Sequence, residues 1–124
     1  MSQTQSIGKS AEEFAKQYLQ RQGMTLVGQN YRCKYGEIDL IMQDKKTTVF
    51  VEVRFRKSHR YGSGAETVDY HKQRKLVATA SHYLQNHAEA AKRPCRFDVL
   101  SLTAPQPQAN EAYAVQWIAD AIQS

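Results

Sequence analysis

Two acidic residues stand in neighbouring apolar segments of this sequence, at a spacing that could bring their carboxylates together. Asp39 lies within the run GEIDLI, and Glu52 lies within the run VFVEVR. Runs rich in valine, isoleucine and phenylalanine favour β-strands, and the short polar connection between these two predicts a β-hairpin. Carboxylates on opposed strand positions repel one another unless a cation lies between them, because their Cβ atoms are only about 5 Å apart.

The register of this hairpin decides whether the two carboxylates meet. We take the lysine pair at 45–46 as the tip, so that Asp44 faces Thr47. Counting outward from that pair places Asp39 directly opposite Glu52. A slip of one residue would move both side chains to the other face of the hairpin.

The same register predicts one acidic and one apolar face. Strand side chains alternate between faces, so Glu37 and Arg54 share a face with Asp39 and Glu52. That face has two interpretations: a divalent metal site, since Mg²⁺ prefers oxygen ligands, or a water-exposed surface with a Glu37–Arg54 ion pair. The other face is expected to be core and carries Ile38, Leu40, Met42, Val49, Val51 and Val53.

Helices and further strands must hold this hairpin in place. Apolar residues at helical spacing predict a first helix that is capped by Ser10 and ended by Gly23, after a flexible segment over residues 1–8. The order α-β-β-β-α-β predicts one α/β domain over residues 9–124, a mixed sheet flanked by helices. The predicted elements are a helix over 9–22, strands over 24–32, 37–43 and 47–56, a helix over 67–87, a strand over 96–103 and a strand or helix over 113–122.

The composition of the whole chain indicates a single domain with a polyanionic partner. Its 124 residues suit one hydrophobic core. We expect a cytoplasmic protein without membrane contact, because the sequence has neither a run of about 20 apolar residues nor a signal-like N-terminus. Seventeen Lys and Arg against twelve Asp and Glu give a net charge of +5, which favours nucleic acid as a partner.

The acidic segments resemble the YraN-like family of predicted bacterial nucleases. That family belongs to the restriction-endonuclease-like superfamily with the PD-(D/E)xK signature, and is similar to archaeal Holliday-junction resolvases. The resemblance implies a restriction-endonuclease-like fold and hydrolysis of DNA phosphodiesters, including branched DNA, with Mg²⁺ or Mn²⁺. The matching residues outside the hairpin are Gly8, residues 11–15 (AEEFA), Tyr18, Leu19, Asn30, Tyr31, Arg32, Arg56, Tyr61, Gly62, Lys72, Tyr83, Leu84 and residues 96–99 (RFDV).

The resemblance also implies roles for individual residues. It implies that Asp39 and Glu52 bind the metal ion. Glu12 matches an acidic position that resolvase-like enzymes bring to the same metal, although a glutamate at a helix start is also favoured by the helix dipole alone. Arg54 stands where the superfamily signature usually has lysine. Arginine effectively cannot lose its proton, so Arg54 could orient water or hold a phosphate but could not act as a general base.

Basic residues follow the second acidic strand. Arg56, Lys57 and Arg60 lead into a glycine-containing loop over 57–65 that could follow a phosphate backbone, and Lys72 is assigned to the same surface. Three functions stay open: a metal-dependent nuclease, a nucleic-acid-binding module of the same fold whose metal site is weakened by arginine at position 54, or an interaction protein whose acidic face binds another protein. A homodimer is possible, since resolvase relatives act as dimers.

Overall fold

The structure, a computed structural model, describes residues 3–56, 70–104 and 113–122, with side chains from Ser10 onward. The predicted order of elements is confirmed, with one short helix added and the C-terminal element resolved as a strand. Lys57, Arg60 and the loop predicted over 57–65 lie outside the described residues. The elements are α1 (Gln3–Arg21), β1 (Thr25–Cys33), β2 (Gly36–Asp44), β3 (Thr47–Arg56), α2 (Tyr70–Gln85), α3 (Ala88–Ala91), β4 (Cys95–Thr103) and β5 (Ala114–Ile118).

Helix α1 begins earlier than the sequence pattern predicted and ends where it predicted. The helix starts at Gln3, and Ser10 is not its cap but an interior residue whose Oγ accepts a hydrogen bond from the Tyr113 hydroxyl at 2.9 Å. Polar residues such as glutamine and lysine have good helix propensity, so their polarity did not mark a boundary. Gly23, with φ of +99°, donates to the carbonyl of Gln20 at 3.0 Å and so closes the C-terminus.

The sheet has five strands in the order β1-β2-β3-β4-β5. The pairs β1–β2, β2–β3 and β4–β5 are antiparallel, whereas β3 and β4 are parallel, and α2 lies in the connection that such a parallel pair needs. The predicted hairpin register is confirmed from Asp44–Thr47 to Leu40–Val51. This mixed sheet between helices is consistent with a restriction-endonuclease-like fold.

A helix packs on each face of the sheet, which argues against the interpretation of the carboxylate face as an open, water-exposed surface. Helix α1 covers Leu40, Val49 and Val51 as predicted, but α2 covers the opposite face through Ile41 and Phe50. Each of these side chains is at most 2% exposed. On the face that carries the carboxylates, Glu52 is therefore buried, whereas Glu37, Asp39 and Arg54 are partly exposed.

Ile38 lies on the opposite face from the one that the alternation predicted. It packs with Leu76 of α2 instead of joining Leu40 against α1. The ladder between β2 and β3 ends at the Leu40–Val51 pair. Strict alternation holds only along a regular strand, and here it is interrupted at Asp39.

Asp98 ties the C-terminal strands together. Its carboxylate is fully buried and accepts hydrogen bonds from Arg96 Nε at 3.1 Å, from Trp117 Nε1 at 2.9 Å and from the backbone N–H of Asp120 at 2.9 Å. A buried charge is tolerated when it is paired and hydrogen-bonded in this way. Asp98 thus has a structural role, since it links β4 to β5 and to the residues that follow β5.

We expect Asp98→Ala to lower the free energy of unfolding by about 3–5 kcal/mol, because it removes the fully buried carboxylate that accepts from Arg96, Trp117 and the backbone of Asp120. Urea unfolding at neutral pH measures this loss. Asp44→Ala is the matched control: Asp44 also contacts Arg96, at 3.4 Å, but its side chain is 36% exposed. The control should lose less than about 1 kcal/mol, and equal losses in both variants would contradict the structural role.

No helix among the described segments is both long and apolar enough to cross a membrane.

Candidate active site

Asp39 lies where strands β2 and β3 separate. Its Oδ2 accepts a hydrogen bond from the backbone N–H of Val53 at 2.8 Å. Beyond the Leu40–Val51 pair this N–H has no ladder partner on β2, and the aspartate satisfies it. The prediction that Asp39 and Glu52 form a directly opposed pair is corrected accordingly. Both residues lie one position beyond the last pair of the ladder, Leu40–Val51, where the two strands separate.

Asp39 and Glu52 line a common cavity of about 260 Å³ between the sheet and α2. The cavity is also lined by Gly36 and Glu37 at the start of β2 and by Lys72 and Lys75 on α2. Glu52 is only 7% exposed. The two carboxylates that the sequence selected are therefore brought together in one concave site that also contains two lysines.

The electrostatics of the cavity favour a protonated Asp39 in the absence of a cation. Burial, and after it the negative charge of Glu52, raise the pKa of Asp39 to about 8, against the lowering effect of the Val53 hydrogen bond. The charges of Glu12 and Glu37 raise this pKa further. A carboxyl group that holds a proton at neutral pH inside a cleft is typical of functional sites.

Lys72 neutralises the second carboxylate. Its Nζ lies 2.5 Å from Glu52 Oε1, and the Glu52 side chain is 8% exposed whereas that of Lys72 is 43% exposed. The sequence assigned Lys72 to a phosphate-binding surface and missed this contact. No local signal could have found it, because the contact depends on where α2 crosses the sheet.

The two carboxylates fit a hard divalent cation that takes the rest of its ligands from elsewhere. Mg²⁺ is commonly held by one or two carboxylates together with water and substrate phosphates. Within residues 3–56, 70–104 and 113–122, no three His, Cys, Asp or Glu side chains converge as a metal-binding cluster. Glu12, on α1, is near enough to affect the pKa of Asp39, but it is not brought into a three-ligand set with Asp39 and Glu52.

Arg54 and Arg56 follow Glu52 on the same face of β3, as alternation requires. Arg54 Nη1 is buried without a hydrogen-bond partner, the one side-chain nitrogen or oxygen among the described residues in this state. The predicted Glu37–Arg54 ion pair is wrong, because Glu37 Oε1 instead contacts Arg32 Nε at 3.4 Å across β1 and β2. Such a buried donor is costly to leave unpaired, and a phosphate oxygen is one acceptor that could satisfy it.

Comparison with known proteins places these residues in a family. Residues 11–102 match the family described as "Uncharacterised protein family UPF0102". A "UPF0102 protein" of Stutzerimonas stutzeri (strain A1501) is 46% identical over 124 residues, which cover 100% of both chains. Another, from Alcanivorax borkumensis, is 45% identical over 119 residues, 96% of this chain and 93% of the relative.

A third relative, the "UPF0102 protein" of Pseudomonas savastanoi pv. phaseolicola, is 46% identical over 123 residues, 99% of this chain and 98% of the relative. The family match includes every side chain that lines the carboxylate cavity. Since the match spans most of the sequence and these relatives align nearly from end to end, the chain belongs to the UPF0102 family, the YraN-like family that its motifs resemble.

Proposed function

We propose that this protein is a Mg²⁺- or Mn²⁺-dependent nuclease of the cytoplasm that hydrolyses phosphodiester bonds of DNA, with branched or otherwise structured DNA as its substrate class. One observation carries the proposal: Asp39 and Glu52 share a cavity of about 260 Å³ in which burial and the charge of Glu52 raise the pKa of Asp39 to about 8. Two carboxyl groups held so close together in a cleft that one of them keeps its proton at neutral pH are suited to binding a divalent cation.

Three cavity residues, Asp39, Glu52 and Lys72, have roles in this proposal, and so does Arg54, which follows Glu52 on β3. Asp39 and Glu52 would hold the metal ion, Asp39 in its deprotonated form. When bound, the ion supplies Lewis-acid polarisation of the phosphate and a more acidic water. Lys72 provides from α2 the ammonium group that the superfamily signature places at position 54, where this chain has arginine. Arg54 donates to a phosphate oxygen through its buried Nη1.

The alternative is a nucleic-acid-binding module that no longer cleaves. Arginine at position 54 and the contact between Lys72 and Glu52 favour it, since that contact stabilises Glu52 without any metal ion. The net charge of +5 supports DNA binding under either function. Affinity for DNA without turnover, weakening steeply with salt, would identify the module.

The proposal is tested by cleavage of single-stranded, duplex, flap and four-way-junction DNA with Mg²⁺, with Mn²⁺ and with a chelator. Glu52→Gln is purified in parallel, and Glu89→Gln serves as a matched control, because Glu89 is 82% exposed on α3. We expect metal-dependent cutting by the wild type and by the control but not by Glu52→Gln. Cutting that persists in Glu52→Gln would show a contaminating enzyme and refute the site.

A junction presents two related strands, so the proposal includes pairing of two copies on such a substrate. Light scattering with and without junction DNA measures the mass of the complex. A mass of one copy per junction would argue against paired action.

A further inference from the structure

The tight turn between β1 and β2 presents an aromatic ring to solvent. Cys33 pairs with Gly36, which leaves Lys34 and Tyr35 as a two-residue loop. Tyr35 is 44% exposed, so its ring is accessible to a ligand from solvent. Lys34 Nζ lies 5.2 Å from the centroid of this ring. We call Lys34 and Tyr35 the turn platform.

The turn platform adjoins the carboxylate cavity. Gly36, the next residue after Tyr35, lines that cavity together with Asp39 and with Lys75 of α2. The turn packs closely against α2, since a Cβ added at Gly36 by substitution would lie 3.2 Å from Thr79 Oγ1. Four strand positions separate Tyr35 from Asp39, a distance of about 13 Å. A nucleotide stacked on Tyr35 would therefore be only a few nucleotides from the carboxylates.

Ring contacts connect the turn platform to the core. The Tyr35 ring lies edge-on to His82, with 6.3 Å between centroids. His82 Nδ1 is hydrogen-bonded to the Tyr31 hydroxyl at 2.5 Å, and Tyr31 packs edge-on against Tyr83 at 5.1 Å. Because Tyr83 is only 6% exposed, this chain of contacts connects the turn platform to the buried core, while Tyr35 itself stays 44% exposed.

The charges around the platform are mainly positive. Arg32, with a side chain 75% exposed, precedes the turn, and Lys34 is part of it. Lys75 is exposed on the neighbouring helix. The acidic neighbour, Glu37, is paired with Arg32. Cationic grooves that carry exposed aromatic rings are the usual means by which proteins hold single strands of nucleic acid.

We propose that the turn platform stacks an unpaired DNA nucleotide beside the carboxylate cavity, so that the substrate carries single-stranded nucleotides next to the bond that is cut. This inference rests on the proposed nuclease function and names a feature of its substrate. The bases of an intact duplex are stacked on one another and offer no free face to Tyr35. Flaps and junctions with unpaired nucleotides offer such a face.

The experiment measures binding of a short single-stranded oligonucleotide and of its duplex by fluorescence anisotropy in a chelator, where metal-dependent cleavage is absent. Tyr35→Ala should weaken single-strand binding about 5- to 150-fold, as expected for the loss of one stacked base. Tyr35→Phe should retain wild-type affinity. Val27→Ala is the matched control, since Val27 is 47% exposed at the other end of β1. A 2-aminopurine in the oligonucleotide should be quenched by the wild type and not by Tyr35→Ala.

Two results would overturn the platform: single-strand affinity unchanged in Tyr35→Ala, or wild-type affinity no higher for the single strand than for the duplex. Cleavage by the wild type together with an inert Tyr35→Ala substitution refutes the platform and leaves the nuclease standing. Tyr35-dependent binding in a protein that never cuts supports the platform and refutes the nuclease.

Discussion

Asp39→Asn is expected to make the metal-free protein more stable above neutral pH while it removes metal-dependent cleavage. The pKa of Asp39 is raised to about 8 in the folded state, against about 4 in an unfolded chain. The folded protein therefore binds an extra proton between those values. The stability that this proton contributes is complete below about pH 4 and is lost as the pH rises to about 8.

Asparagine avoids this loss because its amide is neutral at every pH, and its oxygen can still accept the hydrogen bond from Val53. Urea unfolding in a chelator should show a gain of up to about 5 kcal/mol in Asp39→Asn near pH 9 and almost none near pH 4. Magnesium should stabilise the wild type near pH 9 but not the variant, because ligands that bind only the folded state raise its stability.

Glu13→Gln is the matched control for this measurement. Glu13 is an exposed carboxylate of α1 whose pKa is lowered by hydrogen bonds from Lys16 and then Gln17. Its contribution has the opposite sign: it is present above the unfolded pKa and is lost as the pH falls, so its neutralisation should bring no gain near pH 9. A similar gain in both variants would show that the effect is unrelated to the cavity.

Lys72→Met is expected to have the second large effect. It removes the ammonium group that contacts Glu52 and leaves that carboxylate, 8% exposed, without its cation. In the proposed nuclease this loss should lower the cleavage rate by about 10²–10³-fold, the range seen when one preorganised electrostatic group is removed from an active site. The metal-free protein should also lose about 2 kcal/mol of stability.

Lys92→Met provides the comparison for an ordinary surface ion pair. Lys92 contacts Glu89 at 3.5 Å on α3, with side chains 73% and 82% exposed. Its removal should change stability by less than about 1 kcal/mol and leave cleavage as it was. If Lys72→Met cleaved DNA as fast as Lys92→Met, Lys72 would have no part in the chemistry.

The hairpin register could be predicted from the sequence because it is a local property. Asp44 and Thr47 flank a two-residue turn in which Lys45 adopts a φ of +57°, and once that turn is fixed every later pair follows. The faces were harder to predict. Ile38 faces α2 next to the position where the Asp39 side chain accepts a hydrogen bond from Val53, and apolar periodicity does not encode a side-chain-to-backbone bond.

In the candidate site, too, only the contacts within the hairpin could be predicted from the sequence. Asp39 and Glu52 lie in one hairpin, so their convergence follows from counting along two strands. The contact of Lys72 with Glu52 joins different elements and depends on the packing of α2 against the sheet. The partner of Glu37 was mispredicted for a related reason: β2 has a neighbour on each side, and the glutamate pairs with Arg32 of β1 and not with β3.

Because β3 pairs with β4 in parallel, the parts of the cavity are expected to form one after another during folding. Strands β2 and β3 are joined by two residues and can pair early in folding, whereas β3 can pair with β4 only after the long connection that contains α2 has closed. The two acids therefore meet before Lys72 can reach them. Since burial is the main cause of the raised pKa of Asp39, that rise is expected only once α2 covers the cavity, and repulsion between the two carboxylates opposes the hairpin until then.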